Sequence, residues 1–136
     1  MTDICQATYA YLSKNEQIRE RVGNKIFPIM LPEDAPLPAI VYSPVLANYD
    51  SALQGDTGFV RQTMQFVCHD RTFKKARELS RMVKRAFQDF HGNMCGLEIQ
   101  AVFIKTDYEY NGNTALKFNT EEYLSSIEFE FYYNEK

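Results

Sequence analysis

The first apolar positions of the chain recur with the spacing of an amphipathic helix. Asp3 is a suitable N-cap, and the side chains that follow it on one helical face are Ile4, Ala7, Thr8, Tyr11 and Leu12. Asn15 can cap a second, short turn that carries Ile18 and Val22, and Gly23 is a natural residue to end it. The pattern therefore predicts one helix, interrupted near Asn15, at the start of the chain.

Period-two alternation of apolar and polar residues predicts the strands. In 59–69, Val60, Met64 and Phe66 alternate with mostly polar neighbours, and Gln62 is the exception on the apolar face. The alternation is strongest near the end of the chain, where one face carries Ile127, Phe129, Phe131 and Tyr133 and the other carries Ser126, Glu128 and Glu130. The predicted strands or extended pieces are 26–30, 39–47, 59–69, 99–108 and 123–133.

The best helical pattern of the chain lies between the third and fourth predicted strands. Asp70 or Thr72 caps it, and Gly92 and Gly96 end it. An apolar stripe with the period of an α-helix consists of Phe73, Ala76, Leu79, Val83, Ala86, Phe87 and Phe90. The stripe predicts a helix that packs its apolar face on a sheet.

Three connections have a distinctive composition. The stretches 48–58 and 109–122 are polar and predict two long flexible loops, which are often functional in compact domains. Four of the five prolines fall within 32–44, around the strand at 39–47. Pro44 indicates that this strand lies at or near a sheet edge, or bulges there.

These elements follow the order helix, strand, strand, strand, helix, strand, strand. We predict an α+β fold in which a single mixed or antiparallel β-sheet of about five strands has two helices packed on one face. The chain has 136 residues and contains no internal repeat or low-complexity tract, so we expect one domain over 1–136.

Charge is distributed unevenly along the chain. The formal net charge is −3, but 71–91 contains seven basic and two acidic residues, a net +5, which leaves −8 for the remainder. The basic side chains away from the apolar stripe are Lys74, Arg77, Arg81, Lys84 and Arg85. Such a face could contact phosphates and make the chain a small nucleic-acid-binding module. No aromatic residue interleaves with these charges on the helical wheel, however, and a solvated helix face is the simpler explanation.

A contact between copies of the chain is a third explanation for this charge pattern. Acidic residues near the C-terminus complement the basic helix, and they are Glu121, Glu122, Glu128, Glu130 and Glu135. Opposite patches on one protomer favour a head-to-tail contact, which produces a ring if it closes. Charge balance within a single chain would give the same pattern.

Little in the sequence indicates catalysis, metal binding or a membrane. Cys68-His69 and His91 with Cys95 are the residue types that zinc accepts, but their spacing fits no known site, and Cys68 lies on the apolar face of its strand. No phosphate-binding loop or other catalytic motif is present. No apolar run approaches ~18 residues, and Asp3 stands where an export signal needs positive charge. We expect reduced thiols, no enzyme activity, no cofactor, no metal and no membrane partner.

Five segments occur in a distinctive order and spacing. They are VGNKIFP at 22–28, PAIVY at 38–42, VRQTMQFVCH at 60–69, the helix that carries Ala76 and Val83, and the aromatic strand at 127–133. This arrangement resembles the tail-completion, or tail-to-head joining, proteins of long-tailed phages and prophages. The resemblance covers 109–122 least, and Cys68-His69 departs from the small residue that the family pattern has there.

The resemblance implies a structural virion protein that forms a hexameric ring at the head-proximal end of the tail tube, with host cytoplasm as its location before assembly. Such a ring would stop tail growth and join the tail to the head-completion ring. Its implied partners are copies of itself, the tail-tube protein and the head-completion connector, with nucleic acid only incidental. The candidate interaction residues are Tyr49, Asp50, Gln54, Asp56, Lys74, Arg77, Arg81, Lys84, Asn111, Asn113, Lys117, Glu128 and Glu130.

Overall fold

The computed structural model of the chain describes residues 3–53, 55–111 and 123–135. These residues form three helices and six strands. The helices are α1 (Ile4–Lys14), α2 (Glu16–Val22) and α3 (Phe73–Phe87), and the strands are β1 (Ile26–Pro28), β2 (Ala39–Ala52), β3 (Gly55–Asp70), β4 (Gly92–Met94), β5 (Leu97–Asn111) and β6 (Tyr123–Asn134).

The strands form one mixed sheet in the order β1-β2-β3-β6-β5-β4. β1 is parallel to β2, and every other neighbouring pair of described strands is antiparallel. The three helices pack on one face of the sheet, where their apolar side chains join those of the strands in one core. The predicted α+β class is confirmed, with one strand and one helix more than expected.

The two additional elements are short, and each has a local cause. β4 has three residues, too few for alternation to be recognised, and it pairs with β5 across a turn at Cys95 and Gly96. Both turn residues have positive φ, 51° and 105°. α2 forms as a separate helix because Asn15 is extended and ends α1, while its Oδ1 accepts a hydrogen bond from the Ile18 N–H at 3.1 Å.

The prediction of a flexible loop over 48–58 is wrong. β2 and β3 remain paired through this stretch as a long hairpin, in which Tyr49 lies opposite Val60. The hairpin extends past the last paired residue of β6, and the side chains of Asn48, Tyr49 and Asp50 are all exposed. A strand with both faces in water carries no apolar alternation, so its sequence looks like that of a loop.

The second predicted loop, 109–122, is also partly a strand. β5 continues to Asn111, which pairs with Tyr123 of β6. Residues 112–122 lie outside the described part of the chain.

Aromatic side chains fill the centre of the core. Phe87 of α3 stacks on Phe66 of β3 with ring centroids 4.9 Å apart, and it meets Phe131 of β6 nearly edge-on at 5.4 Å. The predicted helical stripe is confirmed at Ala76, Leu79, Val83 and Phe87, which are all buried. Phe73 was assigned to that stripe wrongly: it lies at the margin of the stripe on the first turn of α3 and is 51% exposed.

Pro44 lies at a sheet edge and also at a bulge, as the sequence predicted. The pairing of β1 with β2 ends at Tyr42, whose carbonyl oxygen also accepts the Ile29 N–H at 2.9 Å. The register between β2 and β3 then shifts between Pro44 and Leu46. Beyond Tyr42, β2 is therefore an edge strand within the described sheet.

Candidate assembly surfaces

The two polar segments that the sequence predicts as loops are attached at opposite ends of the sheet. β3 and β6 pair from Phe59 with Asn134 at one end to Asp70 with Tyr123 at the other. The turn between β2 and β3 lies beyond the first of these pairs. Because Asn111 of β5 also pairs with Tyr123, the second polar segment starts and finishes at the other end. The hairpin turn and the strand ends Asn111 and Tyr123 are thus separated by the full length of the sheet.

The hairpin end carries an exposed aromatic ring beside a carboxylate. Tyr49 is 63% exposed, and Asp50 accepts hydrogen bonds from the Thr57 hydroxyl at its carboxylate (3.0 Å) and at its backbone oxygen (3.1 Å). A surface depression of about 340 Å³ at the base of the hairpin is lined by Asn48, Tyr49, Asp50, Phe59 and Arg61. Asp56 pairs with Ser51 through the backbone, and Gln54 lies outside the described residues. Tyr49 and Asp50 therefore both border this depression.

At the other end the structure describes less of the candidate set. Asn111 is the last described residue of β5, and its backbone pairs with β6. Asn113 and Lys117 lie outside the described part of the chain.

A groove along α3 gathers most of the predicted basic residues. Its volume is about 680 Å³, and its lining consists of Arg21, Phe73, Lys74, Arg77, Glu78, Arg81, Met82 and Arg85. We call this the cationic groove. Arg21 of α2 forms a salt bridge with Glu78 across its rim, with Nη2 and Oε1 at 2.8 Å. Lys84 is half-buried and does not line the groove. An anionic partner would therefore meet several guanidinium and ammonium groups over a short length of helix.

Phe73 changes the chemical character of this groove. On the helical wheel no aromatic residue stood among the basic ones, but the structure places the half-exposed Phe73 ring in the groove with Met82. The sequence pattern did not predict this position, because Phe73 fits the spacing of the apolar stripe and was therefore expected to be buried. The cationic groove therefore offers both charge and apolar contact area.

The face of the sheet opposite the helices is polar, and its centre is largely shielded. Glu128 and Glu130 of β6 point to this uncovered face and are half-buried rather than fully solvated. Thr63 lies opposite Glu130 and is only 1% exposed, and Lys105 Nζ is 3.5 Å from its hydroxyl. Ser126 on the same face is fully buried and accepts a hydrogen bond from Gln65 at 3.2 Å.

Tyr132 contacts both an acidic side chain of β6 and an aromatic ring of β5 at the margin of this face. Its hydroxyl donates to Glu130 Oε1 at 2.5 Å, and this hydrogen bond is the main reason that the pKa of Tyr132 is raised. Phe103 packs edge-on against the Tyr132 ring at 5.4 Å between centroids. The uncovered face thus combines carboxyl, hydroxyl and aromatic groups, and it carries two of the predicted interaction residues, Glu128 and Glu130.

The residue types that suggested zinc or nucleophilic chemistry do not come together. Cys68 is fully buried, as predicted, and burial raises the pKa of its thiol, which keeps it protonated. All three cysteines are free thiols. Within 3–53, 55–111 and 123–135, no three His, Cys, Asp or Glu side chains are grouped to hold a metal ion. In the same ranges, no helix combines the length and apolar character needed to cross a bilayer.

Comparison with known protein families decides where this arrangement belongs. The family model described as tail completion protein gp17 matches residues 6–110. The chain belongs to this family. The match runs from α1 through nearly all of β5, so the tail completion protein carries its family signature across the helices, the hairpin and most of the sheet.

A solved structure shares the fold of this tail completion protein. A chain of a structure titled "Virion of native gene transfer agent (GTA) particle" superposes with a TM-score of 0.69 at 13% sequence identity, covering 96% of this chain and 94% of that one. At this identity the likeness shows the fold. No curated protein matches the tail completion protein. Its family makes it a structural protein of phage tails, which confirms the resemblance found in the sequence.

Proposed function

We propose that this tail completion protein caps the head-proximal end of the tail tube, stops tail growth and joins the tail to the head-completion ring. The observation that carries the proposal is that the turn of the β2–β3 hairpin and the described ends of β5 and β6, at Asn111 and Tyr123, lie at opposite ends of one sheet. A protein that lies between two different assemblies needs a separate contact surface for each. Membership of the tail completion family supports the tail as its place of action.

The protein acts as a hexameric ring in this proposal, and its location is the virion, at the head-proximal end of the tail. Before assembly it is in the host cytoplasm. Asymmetric charge supports contacts between unlike surfaces of neighbouring copies, since 71–91 carries +5 and the remainder −8. Contacts of that kind close into a ring when a whole number of rotations from one copy to the next adds up to a full turn.

Each candidate surface has a partner in this arrangement. Tyr49, Asp50, Gln54 and Asp56 at the hairpin end contact one neighbouring assembly, the tail tube or the head connector. Asn111, Asn113 and Lys117 at the opposite end contact the other. The basic residues Lys74, Arg77, Arg81 and Lys84 and the acidic residues Glu128 and Glu130 remain for contacts between copies.

Deletion of the gene from a producing phage or prophage tests the capping role directly. We expect heads without attached tails, and tails of uncontrolled length, in negative-stain electron micrographs. Expression of the wild-type chain in trans should restore joined particles, and a Tyr49→Ala/Asp50→Ala double variant should restore them less well. Normal, joined particles without the gene would contradict the proposal.

Native mass spectrometry over a concentration series tests the ring. We expect a hexamer, either of the chain alone at high concentration or after tail tubes are added. A chain that stays monomeric even with its tail-tube and head-completion partners would count heavily against a terminator ring.

DNA binding by the cationic groove is the second candidate function, and the exposed Phe73 ring among its cations favours it. Binding through phosphate contacts should weaken steeply with salt, and a Lys74→Glu/Arg77→Glu/Arg81→Glu variant should lose it. If instead that variant assembles poorly while DNA binding is absent in the wild type, the groove serves a protein contact.

A further inference from the structure

Both sides of the sheet have long strand edges without a neighbour in the described chain. β1 pairs with β2 only as far as Tyr42, and β4 pairs with β5 only as far as Ile99. The rest of β2 and the rest of β5 therefore present open backbone hydrogen-bonding groups, one edge on each side of the sheet. Long open edges are templates for pairing with another chain.

The apolar side chains at these two edges lie in one row across the sheet. Leu46 of β2 is opposite Thr63 of β3, which is opposite Glu130 of β6, which is opposite Phe103 of β5. All four point to the uncovered face, because Phe129 and Phe131 on either side of Glu130 belong to the core. Leu46 is 50% exposed and Phe103 is 55% exposed. A polar row thus ends in a half-exposed apolar side chain on each side.

Strand direction allows the two edges to pair with each other between copies. β2, β3, β6 and β5 alternate in direction across the sheet. A second copy placed beside the first in the same orientation therefore presents its β2 antiparallel to the β5 of the first. The antiparallel ladder then continues from copy to copy, and Phe103 comes to lie next to Leu46 of the neighbour.

Pro44 limits the registers in which β2 can accept a partner. Ile40 donates its N–H to Lys25 O at 3.0 Å and Tyr42 accepts from Ile29, so alternate residues of β2 direct their backbone groups to the outer edge. Pro44, two positions further on, has no N–H to offer there. Partner pairing is thus confined to the part of β2 that begins around Leu46.

We propose that the open edge of β2 in one copy pairs with the open edge of β5 in the next, with Leu46 packed against Phe103, and that the sheets of successive copies join into one continuous antiparallel sheet. This assignment rests on the proposed ring, for which it adds a backbone contact between neighbours to the contacts of the charged side chains. The occupant of each edge is a second copy of this chain.

Cysteine cross-linking between two differently labelled copies tests the pairing. The single variants Leu46→Cys and Phe103→Cys are prepared with Cys5→Ser and Cys95→Ser, while Cys68 stays because it is fully buried. Mild oxidation should give a covalent dimer when the two variants are mixed, and at least about tenfold less dimer from either alone, since directly opposed side chains lie ~5 Å apart. The double variant should give a ladder of multimers.

Three results would overturn the proposal. Dimers from a single variant alone would show that like edges pair with two-fold symmetry. A hexamer in native mass spectrometry without cross-links would show that the copies contact each other elsewhere, and the proposed ring would still stand. A chain that neither cross-links nor assembles, even with tail tubes, contradicts the proposed function as well.

Charge substitutions provide an independent measurement that does not depend on cross-link geometry. Leu46→Asp should raise the dissociation constant for self-association at least about tenfold, because the buried apolar contact is lost. Adding Phe103→Lys should restore part of that loss. Tyr9→Asp is the control, since Tyr9 is 40% exposed but lies on α1, on the covered side of the sheet and outside the cationic groove, and it should leave this contact unchanged. Equal effects of Leu46→Asp and Tyr9→Asp would contradict the assignment.

Discussion

The two faces of the sheet differ in what holds them together. The covered face is aromatic and aliphatic, and Phe66, Phe129 and Phe131 pack there against Phe87 of α3. On the uncovered face, hydroxyl, amide and carboxylate groups are partly shielded by one another, and the large apolar groups lie towards its margins, at Leu46 and Phe103. The difference separates two tasks: the covered face stabilises one copy, and the uncovered face with its edges is available to other chains.

The largest expected effect on stability comes from removing a large side chain from the core at the covered face. Phe87→Ala should lower the free energy of unfolding by about 3–5 kcal/mol, because Phe87 is fully buried and its ring meets Phe66, Phe129 and Phe131. Phe73→Ala on the same helix should cost at most about 1 kcal/mol, since Phe73 is 51% exposed. Urea unfolding followed by circular dichroism measures both. Similar losses for the two variants would mean that α3 does not cover the sheet as described.

Two glutamines of β3 that point to opposite faces sharpen the comparison with polar side chains. Gln62 lies on the covered face, where its amide donates to Leu46 O at 3.1 Å and to Thr63 O at 3.0 Å. Gln65 lies on the uncovered face and donates to Ser126. Gln62→Ala should lower the free energy of unfolding by about 1–3 kcal/mol and Gln65→Ala by about 0.5–1.5 kcal/mol. The loss is larger for Gln62→Ala because it removes a hydrogen-bond donor from two backbone carbonyl groups in buried surroundings. Equilibrium unfolding of both variants gives the order, and a larger loss for Gln65→Ala would reverse the assignment of faces.

The same contrast explains which features could be read from the sequence. Alternation identified the central strands at 59–69 and 123–133 because one face of each carries the apolar core and the other carries mostly polar side chains. It failed at Tyr49 and Asp50, which point to opposite faces of β2 and are both exposed. Phe73 has the spacing of the apolar stripe, but it lies at the margin of that stripe and is therefore half-exposed.

The candidate surfaces were predictable as residue types but not as arrangements. The charge count marked the basic helix, and the proline marked the edge of β2. That Leu46 and Phe103 end a single row depends on the pairing of β3 with β6, which places Thr63 opposite Glu130, 67 positions further along the chain. No local pattern in either strand carries that information, since the relation exists only after the sheet has formed.

Two adjacent tyrosines of β6 allow the faces to be compared by pH. Tyr133 points to the covered face, and burial, with a smaller contribution from Glu135, raises its pKa from the usual 10.0 to about 12. In the unfolded chain the same tyrosine ionises first as the pH rises, so its stabilising contribution is complete below about pH 10 and is lost between pH 10 and 12. Tyr133→Phe should therefore lose less stability than the wild type over this interval. A series of urea unfolding curves at increasing pH provides the measurement, with Tyr132→Phe as the control for the uncovered face. Parallel pH profiles for wild type and Tyr133→Phe would contradict the assignment.

The smallest expected effect concerns the neighbouring tyrosine, whose pKa is raised for a different reason. Tyr132 donates its hydroxyl hydrogen to the Glu130 carboxylate, and loss of that proton would place two negative charges side by side. Glu130→Gln keeps an acceptor but removes the charge, so the pKa of Tyr132 should fall toward its usual value while stability near neutral pH changes little. Ultraviolet difference spectra of tyrosinate, with Tyr132→Phe to identify the signal and Glu128→Gln as the matched carboxylate control, follow this titration. If Glu130→Gln leaves the curve unmoved, burial rather than charge governs Tyr132, and the uncovered face would then resemble the covered one more closely than its polar side chains indicate.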